Sequence, residues 1–139
     1  MLLLDTHVWI WTVDGDERRL GRQSRSVLMK SESHGAIRVS PVSVFEVVAL
    51  HTLGRLRLAR TPERWISEAL DAAGIRLAEF SLDVGVDAGL IPRAALADPI
   101  DRFLVATARQ LDAVLMTADA RILDYASTQR TVHVHDARR

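Results

Sequence analysis

The feature that most restricts this chain is a recurring alternation of short, apolar runs with segments of helical spacing. Leu2-Leu3-Leu4 stops at Asp5 and is followed by a helical turn over residues 6–11. A second run, 36–39, closes at Ser40-Pro41, a helix start with Ser as N-cap and Pro at the first helical position. Further runs lie at 75–80, 113–116 and 131–134. Short apolar strands alternating with helices indicate a parallel sheet covered on both faces. The expected fold class is α/β.

The helices have their own signatures. Residues 18–33 are polar, with Leu20, Val27 and Leu28 at weakly amphipathic spacing. Residues 41–53 contain Val44-Phe45-Glu46-Val47-Val48-Ala49-Leu50, apolar nearly all round, which predicts a largely buried helix stopped by Gly54. Thr61-Pro62 opens a helix through Trp65, Ile66, Ala69, Leu70 and Ala73 as far as Gly74. Ser81 caps another that reaches Leu90, before Pro92. The best-patterned helix starts at Asp98-Pro99, where Ile100, Phe103, Leu104, Thr107, Ala108 and Leu111 form one packing face. A short helix over 120–125 follows the fourth strand.

No repeat, low-complexity tract or linker interrupts this order, so 1–139 reads as a single domain. At 48% apolar and 26% charged residues, it can build a core without a disulfide or structural metal. There is no cysteine, which excludes thiolate metal sites and thiol nucleophiles. Acidic and basic residues balance at 18 each, so net charge does not announce a protein that coats nucleic acid. Only Lys30 among the basic residues is lysine; guanidinium suits phosphate, but a codon bias explains the same composition. No apolar run approaches membrane-spanning length, and the opening run is too short for a signal peptide. A cytoplasmic domain, away from membranes, is expected.

Ligands of open parallel sheets bind outside the carboxyl ends of the strands. Here those ends are acidic. Asp5 follows the first strand, Asp119 follows the fourth, Asp98 and Asp101 start the well-patterned helix, and Glu46 lies in the helix after the second. Asp5, Asp98 and Asp119 also stand where Asp serves as an N-cap, and Asp101 where a helix dipole favours negative charge. Glu46 is different, because an unpaired carboxylate within an apolar helix is costly. Carboxylates gathered on one rim repel each other until a divalent cation joins them, and oxygen-only ligands favour Mg²⁺ or Mn²⁺ over zinc. Such a centre supports phosphodiester hydrolysis, with arginines such as Arg55, Arg57, Arg93 or Arg102 available for flanking phosphates.

These segments resemble the PIN domain, and specifically the VapC-type toxins of bacterial toxin–antitoxin pairs. The carriers are Leu3-Leu4-Asp5-Thr6-His7-Val8-Trp9-Ile10-Trp11, the stretch 40–58, Asp98-Pro99-Ile100-Asp101-Arg102-Phe103, and Leu115-Met116-Thr117-Ala118-Asp119. Together they cover nearly the whole chain in order. The resemblance implies a three-layer α/β/α sandwich around a mainly parallel sheet, and a Mg²⁺- or Mn²⁺-dependent endoribonuclease. It makes Asp5, Glu46, Asp101 and Asp119 the metal-binding acids, Asp98 a further acid, and Thr117 a supporting hydroxyl. It also implies a homodimer, an RNA substrate and a cognate antitoxin. Leu96-Ala97, Ile100, His51 and Val86-Asp87-Ala88 depart from the subgroup's pattern, which bears on substrate contacts and not on the acids.

Other readings compete. Asp5 as a phosphatase nucleophile lacks the usual second Asp two residues on, where His7 stands, and a strand-end Lys. A non-catalytic RNA- or partner-binding module is a third class. His133-Val134-His135-Asp136 reads as a solvated terminal strand rather than a metal tract. Trp9, Trp11 and Trp65 read as core or interface aromatics, and a base-stacking platform would require exposure.

Overall fold

The computed structural model describes residues 1–72 and 74–139. Its strands are β1 (Leu2–Leu4), β2 (Ile37–Val39), β3 (Ile75–Leu77), β4 (Val114–Thr117) and β5 (His133–Asp136). Its helices are α1 (Thr6–Asp14), α2 (Arg22–Ser33), α3 (Pro41–Thr52), α4 (Pro62–Asp71), α5 (Leu82–Leu90), α6 (Pro99–Leu111) and α7 (Ala120–Gln129). The strands form one parallel sheet in the order β3-β2-β1-β4-β5. Leu4 is level with Val39 of β2 and Met116 of β4, so the three central strands end together.

Side-chain alternation along the strands builds the layers. Leu2, Leu4 and Met116 pack with Val8, Trp9, Leu28, Trp65 and Ala69 of α1, α2 and α4. Leu3 and Leu115 point the other way, to Leu104, Val105, Ile122 and Ala126 of α6 and α7. The result is the α/β/α sandwich. The chain steps outward from β1 through β2 and β3, then crosses to β4 and β5. The order therefore reverses beside β1, and the crevice between the ends of β1 and β4 is where such a sheet takes a ligand.

Several elements differ from the sequence reading. The segment 18–33 breaks into a 3₁₀ turn, Glu17–Arg19, and α2. Gly21 separates them: its N–H donates to the Ala137 carbonyl at 2.8 Å, and a Cβ there would lie 1.9 Å from the Arg139 carbonyl oxygen. Helix α3 is not largely buried. Only Ser43 and Val47 are fully covered, while Phe45 is 66% exposed, because one side of α3 meets α1, α4 and α6 and the other meets solvent. Conversely, α6 is buried well beyond its patterned stripe, since Ala106 on its back packs against Val84 and Ala88 of α5. Helices α1 and α7 run longer than expected, to Gly15 and Arg130 in left-handed conformation. Strand β3 ends at Leu77, and β5 lies two residues later than the apolar run. Ala73, expected on the inner face of α4, lies outside the described residues.

Candidate active site

The site is assembled where β1 and β4 end. Asp5 leaves β1 in extended conformation and caps α1, its Oδ1 accepting the Thr6 N–H at 2.6 Å. Its Oδ2 accepts the hydroxyl of Thr117, the last residue of β4, also at 2.6 Å. The same hydroxyl accepts the Asp119 N–H at 3.0 Å, so Thr117 ties the two strand ends through one oxygen. Asp119 caps α7 by accepting the Arg121 N–H at 2.8 Å. Asp98 caps α6 by accepting the Ile100 N–H at 2.9 Å. The capping reading of these three aspartates therefore holds, and each cap engages only one carboxylate oxygen.

Asp101 and Glu46 cap nothing. Asp101 lies in the first turn of α6, only 6% exposed, and its Oδ2 is buried with no hydrogen-bond partner. Glu46 is half-buried on α3. That helix is held to α1 by the buried Thr6 hydroxyl, which donates to the Ser43 oxygen at 2.9 Å. Sequence reasoning passed over Thr6 and Ser43. The available signal was position: Thr6 follows Asp5, and Ser43 precedes Glu46 by one turn on the same helix face.

The acids feel one another. Burial pushes the Asp101 carboxyl up to about 8, and the charges of Asp98, Asp119, Asp5 and Glu46 push in the same direction. Burial also raises Asp5, against the pull of the Thr117 hydroxyl and the Thr6 N–H. Glu46 is raised by burial, with Thr6 opposing and Asp5 adding repulsion. No arginine or lysine is among the dominant influences on these three carboxyls. An orphaned buried oxygen inside mutually repelling carboxylates is a poor design for an empty core and a good one for a cation. The donor set, all oxygen, suits a hard divalent ion. Among the described residues no three acidic or imidazole groups close into a ready-made cage. A hard ion held by one or two carboxylates and several waters needs none.

A sequence model of the PIN domain family matches residues 2–127. The chain belongs to the PIN domain family. The ribonuclease VapC22 of Mycobacterium tuberculosis is 27% identical over 121 residues, 87% of this chain and 88% of the relative. Among solved structures, VapBC2 of Rickettsia felis, bound to a promoter DNA fragment, superposes with a TM-score of 0.67 at 12% identity. That match covers 96% of both chains. The DNA-bound VapBC of Salmonella typhimurium gives 0.66 at 19% identity, over 97% of this chain and 96% of that one. At these identities the structures establish shared fold.

In this PIN domain the remaining sequence candidates fall differently. Arg102 forms no ion pair with the acids among the described residues: its Nη2 donates to the Ala97 carbonyl at 3.4 Å and its buried Nε has no partner. The imidazole of His135 meets the Ser24 hydroxyl at 2.8 Å on the edge strand, far from a metal tract. A hollow of about 480 Å³ opens at the opposite end of the sheet beside Met1, Leu2, Ala36 and Val114. Of the acids, Asp5 and Asp119 border a cleft of about 160 Å³, which His7, Trp11 and Ala118 also line.

Proposed function

We propose that this PIN domain is the toxin of a toxin–antitoxin pair, an endoribonuclease that depends on Mg²⁺ or Mn²⁺ and is silenced by a cognate antitoxin. The observation that carries the reading is buried, unpartnered Asp101 among Asp5, Glu46, Asp98 and Asp119 at the reversal point of the sheet. Family membership and the likeness to VapC22, itself a ribonuclease, supply the reaction class.

In this reading Asp5, Glu46, Asp101 and Asp119 would hold the metal, one or two of them directly and the others through its waters, and Asp98 adds charge near Asp101. When bound, the ion supplies a polarised phosphoryl oxygen and a bound water of lowered pKa. The protein's own contribution is placement. Thr117 holds Asp5 Oδ2 and thereby sets the carboxylate's rotation, while the Thr6–Ser43 bond sets how close Glu46 on α3 comes. Arg102, one residue beyond Asp101, takes a flanking phosphate by leaving the Ala97 carbonyl. The whole chain acts as one cytoplasmic domain. Two copies pair, which accounts for Leu82, Val86 and Leu90 standing in an exposed row along α5 at 83%, 54% and 75%.

The test is cleavage of total cellular RNA by the purified protein beside its Asp5→Asn variant, with cut sites mapped by end sequencing. Defined cuts that require Mg²⁺ or Mn²⁺ and vanish in the variant are expected. Cuts that persist in the variant would come from a contaminating nuclease and remove Asp5 from the reaction, and no cuts by antitoxin-free wild type would overturn the assignment in favour of a non-catalytic binding module.

A further inference from the structure

Trp11 is the one indole that packs against the core only in part. Of three tryptophans in the chain, Trp9 and Trp65 are 0% and 4% exposed and meet edge to face at 5.0 Å. Trp65 also spends its N–H on Asp14 at 3.0 Å. Trp11 is only partly buried and forms a wall of the cleft that Asp5 and Asp119 border. His7, one turn earlier on α1 and exposed, lies with its ring centroid 6.3 Å from that of Trp11 at 52°. The Arg19 guanidinium carbon stands 5.6 Å from the indole centroid and is itself tied to Asp16 at 2.9 Å. His7 and Trp11 thus line the acidic cleft together, and the Arg19 guanidinium stands over the indole.

Trp11 packs in part against the core that Val8, Trp9 and Ile10 build, and its uncovered part lines the cleft. A flat, braced ring beside a phosphate-handling centre matches how proteins hold single-stranded nucleic acid: bases stack on aromatic and guanidinium planes while the backbone follows the charge. A cleft of about 160 Å³ admits one splayed ring and no duplex. The geometry points to Trp11, flanked by His7 and Arg19, as a stacking subsite for an unpaired nucleobase next to the phosphate held at the acids. The inference rests on the ribonuclease reading and deepens it by giving the base beside that phosphate a contact of its own.

The test uses the full chain carrying Asp101→Asn, which lowers repulsion at the cleft and prevents cutting, with a six-nucleotide single-stranded RNA. Binding should quench part of the tryptophan emission, and that part should be missing in Trp11→Ala. Anisotropy of the labelled RNA should show about a tenfold weaker Kd in Trp11→Ala and recovery to within about threefold in Trp11→Phe. An abasic oligonucleotide of equal length should quench nothing and bind both forms alike, which decides the matter even if Trp11→Ala folds poorly. RNA that binds without quenching, binds Trp11→Ala equally, or does not bind at all would overturn the subsite and leave Trp11 to a protein contact. Metal-dependent cutting by wild type that is unchanged in Trp11→Ala would sink this inference alone; absent cutting despite Trp11-dependent binding would sink the nuclease reading.

Discussion

Replacing Asp101 by Asn should stabilise the metal-free protein, against the usual result for a buried polar substitution. The folded state holds the Asp101 proton up to about pH 8, whereas the free carboxyl loses it near 3.8. Between those values the folded chain binds more protons than the unfolded one, so stability falls as pH rises. At about 1.4 kcal/mol per tenfold change in proton affinity, the ceiling is about 6 kcal/mol. Relaxation of the surrounding side chains and entry of water in the metal-free protein lower that ceiling, so about 2–3 kcal/mol is expected to survive. Asn carries no charge and removes this penalty. For a chain of this size that corresponds to roughly 5–10 °C in Tm at pH 8, shrinking toward zero near pH 4. The assay is a set of thermal melts in EDTA from pH 4 to 8.5, with exposed Asp124→Asn as the control for net charge. A wild-type Tm flat across that range, or an Asn variant no more stable at pH 8, would refute the idea that buried repulsion is stored at this site. Mn²⁺ should then raise the wild-type Tm and leave Asp101→Asn nearly unmoved, because the ion replaces the proton.

Three further substitutions probe separate links. Thr117→Val removes the hydroxyl that serves both Asp5 and Asp119, and should cost about 1–3 kcal/mol in urea denaturation while reducing RNA cleavage at unchanged substrate affinity. Gly21→Ala forces a Cβ onto the Arg139 carbonyl and should destabilise by about 1–3 kcal/mol, measured as a lower urea midpoint; an unchanged midpoint would mean the C-terminal residues do not pack there. Val86→Glu puts charge in the exposed row of α5 and should convert a dimer to a monomer in size-exclusion chromatography with light scattering, without lowering the monomer's helicity.

The sequence by itself determined the class of fold and the identity of the acids. Leu2-Leu3-Leu4 before Asp5 is a buried strand because alternate leucines must find cover on both sides, and Ser40-Pro41, Thr61-Pro62, Ser81 and Asp98-Pro99 start helices through local hydrogen bonds and fixed φ. Those are forces that act within a few residues. Which strands are neighbours is not such a force. That β4 pairs with β1, and so brings Asp119 beside Asp5 across more than a hundred residues, was decided by packing of α6 and α7 beneath the sheet. Exposure was likewise a tertiary decision. Phe45 reads as a core residue from its neighbours yet is 66% exposed, and Trp11 is covered only in part. The break at Gly21 depends on the last residues of the chain arriving there. The proton on Asp101 arises the same way: one acid in a helix turn is ordinary, and only the sheet's reversal point gathers four others around it.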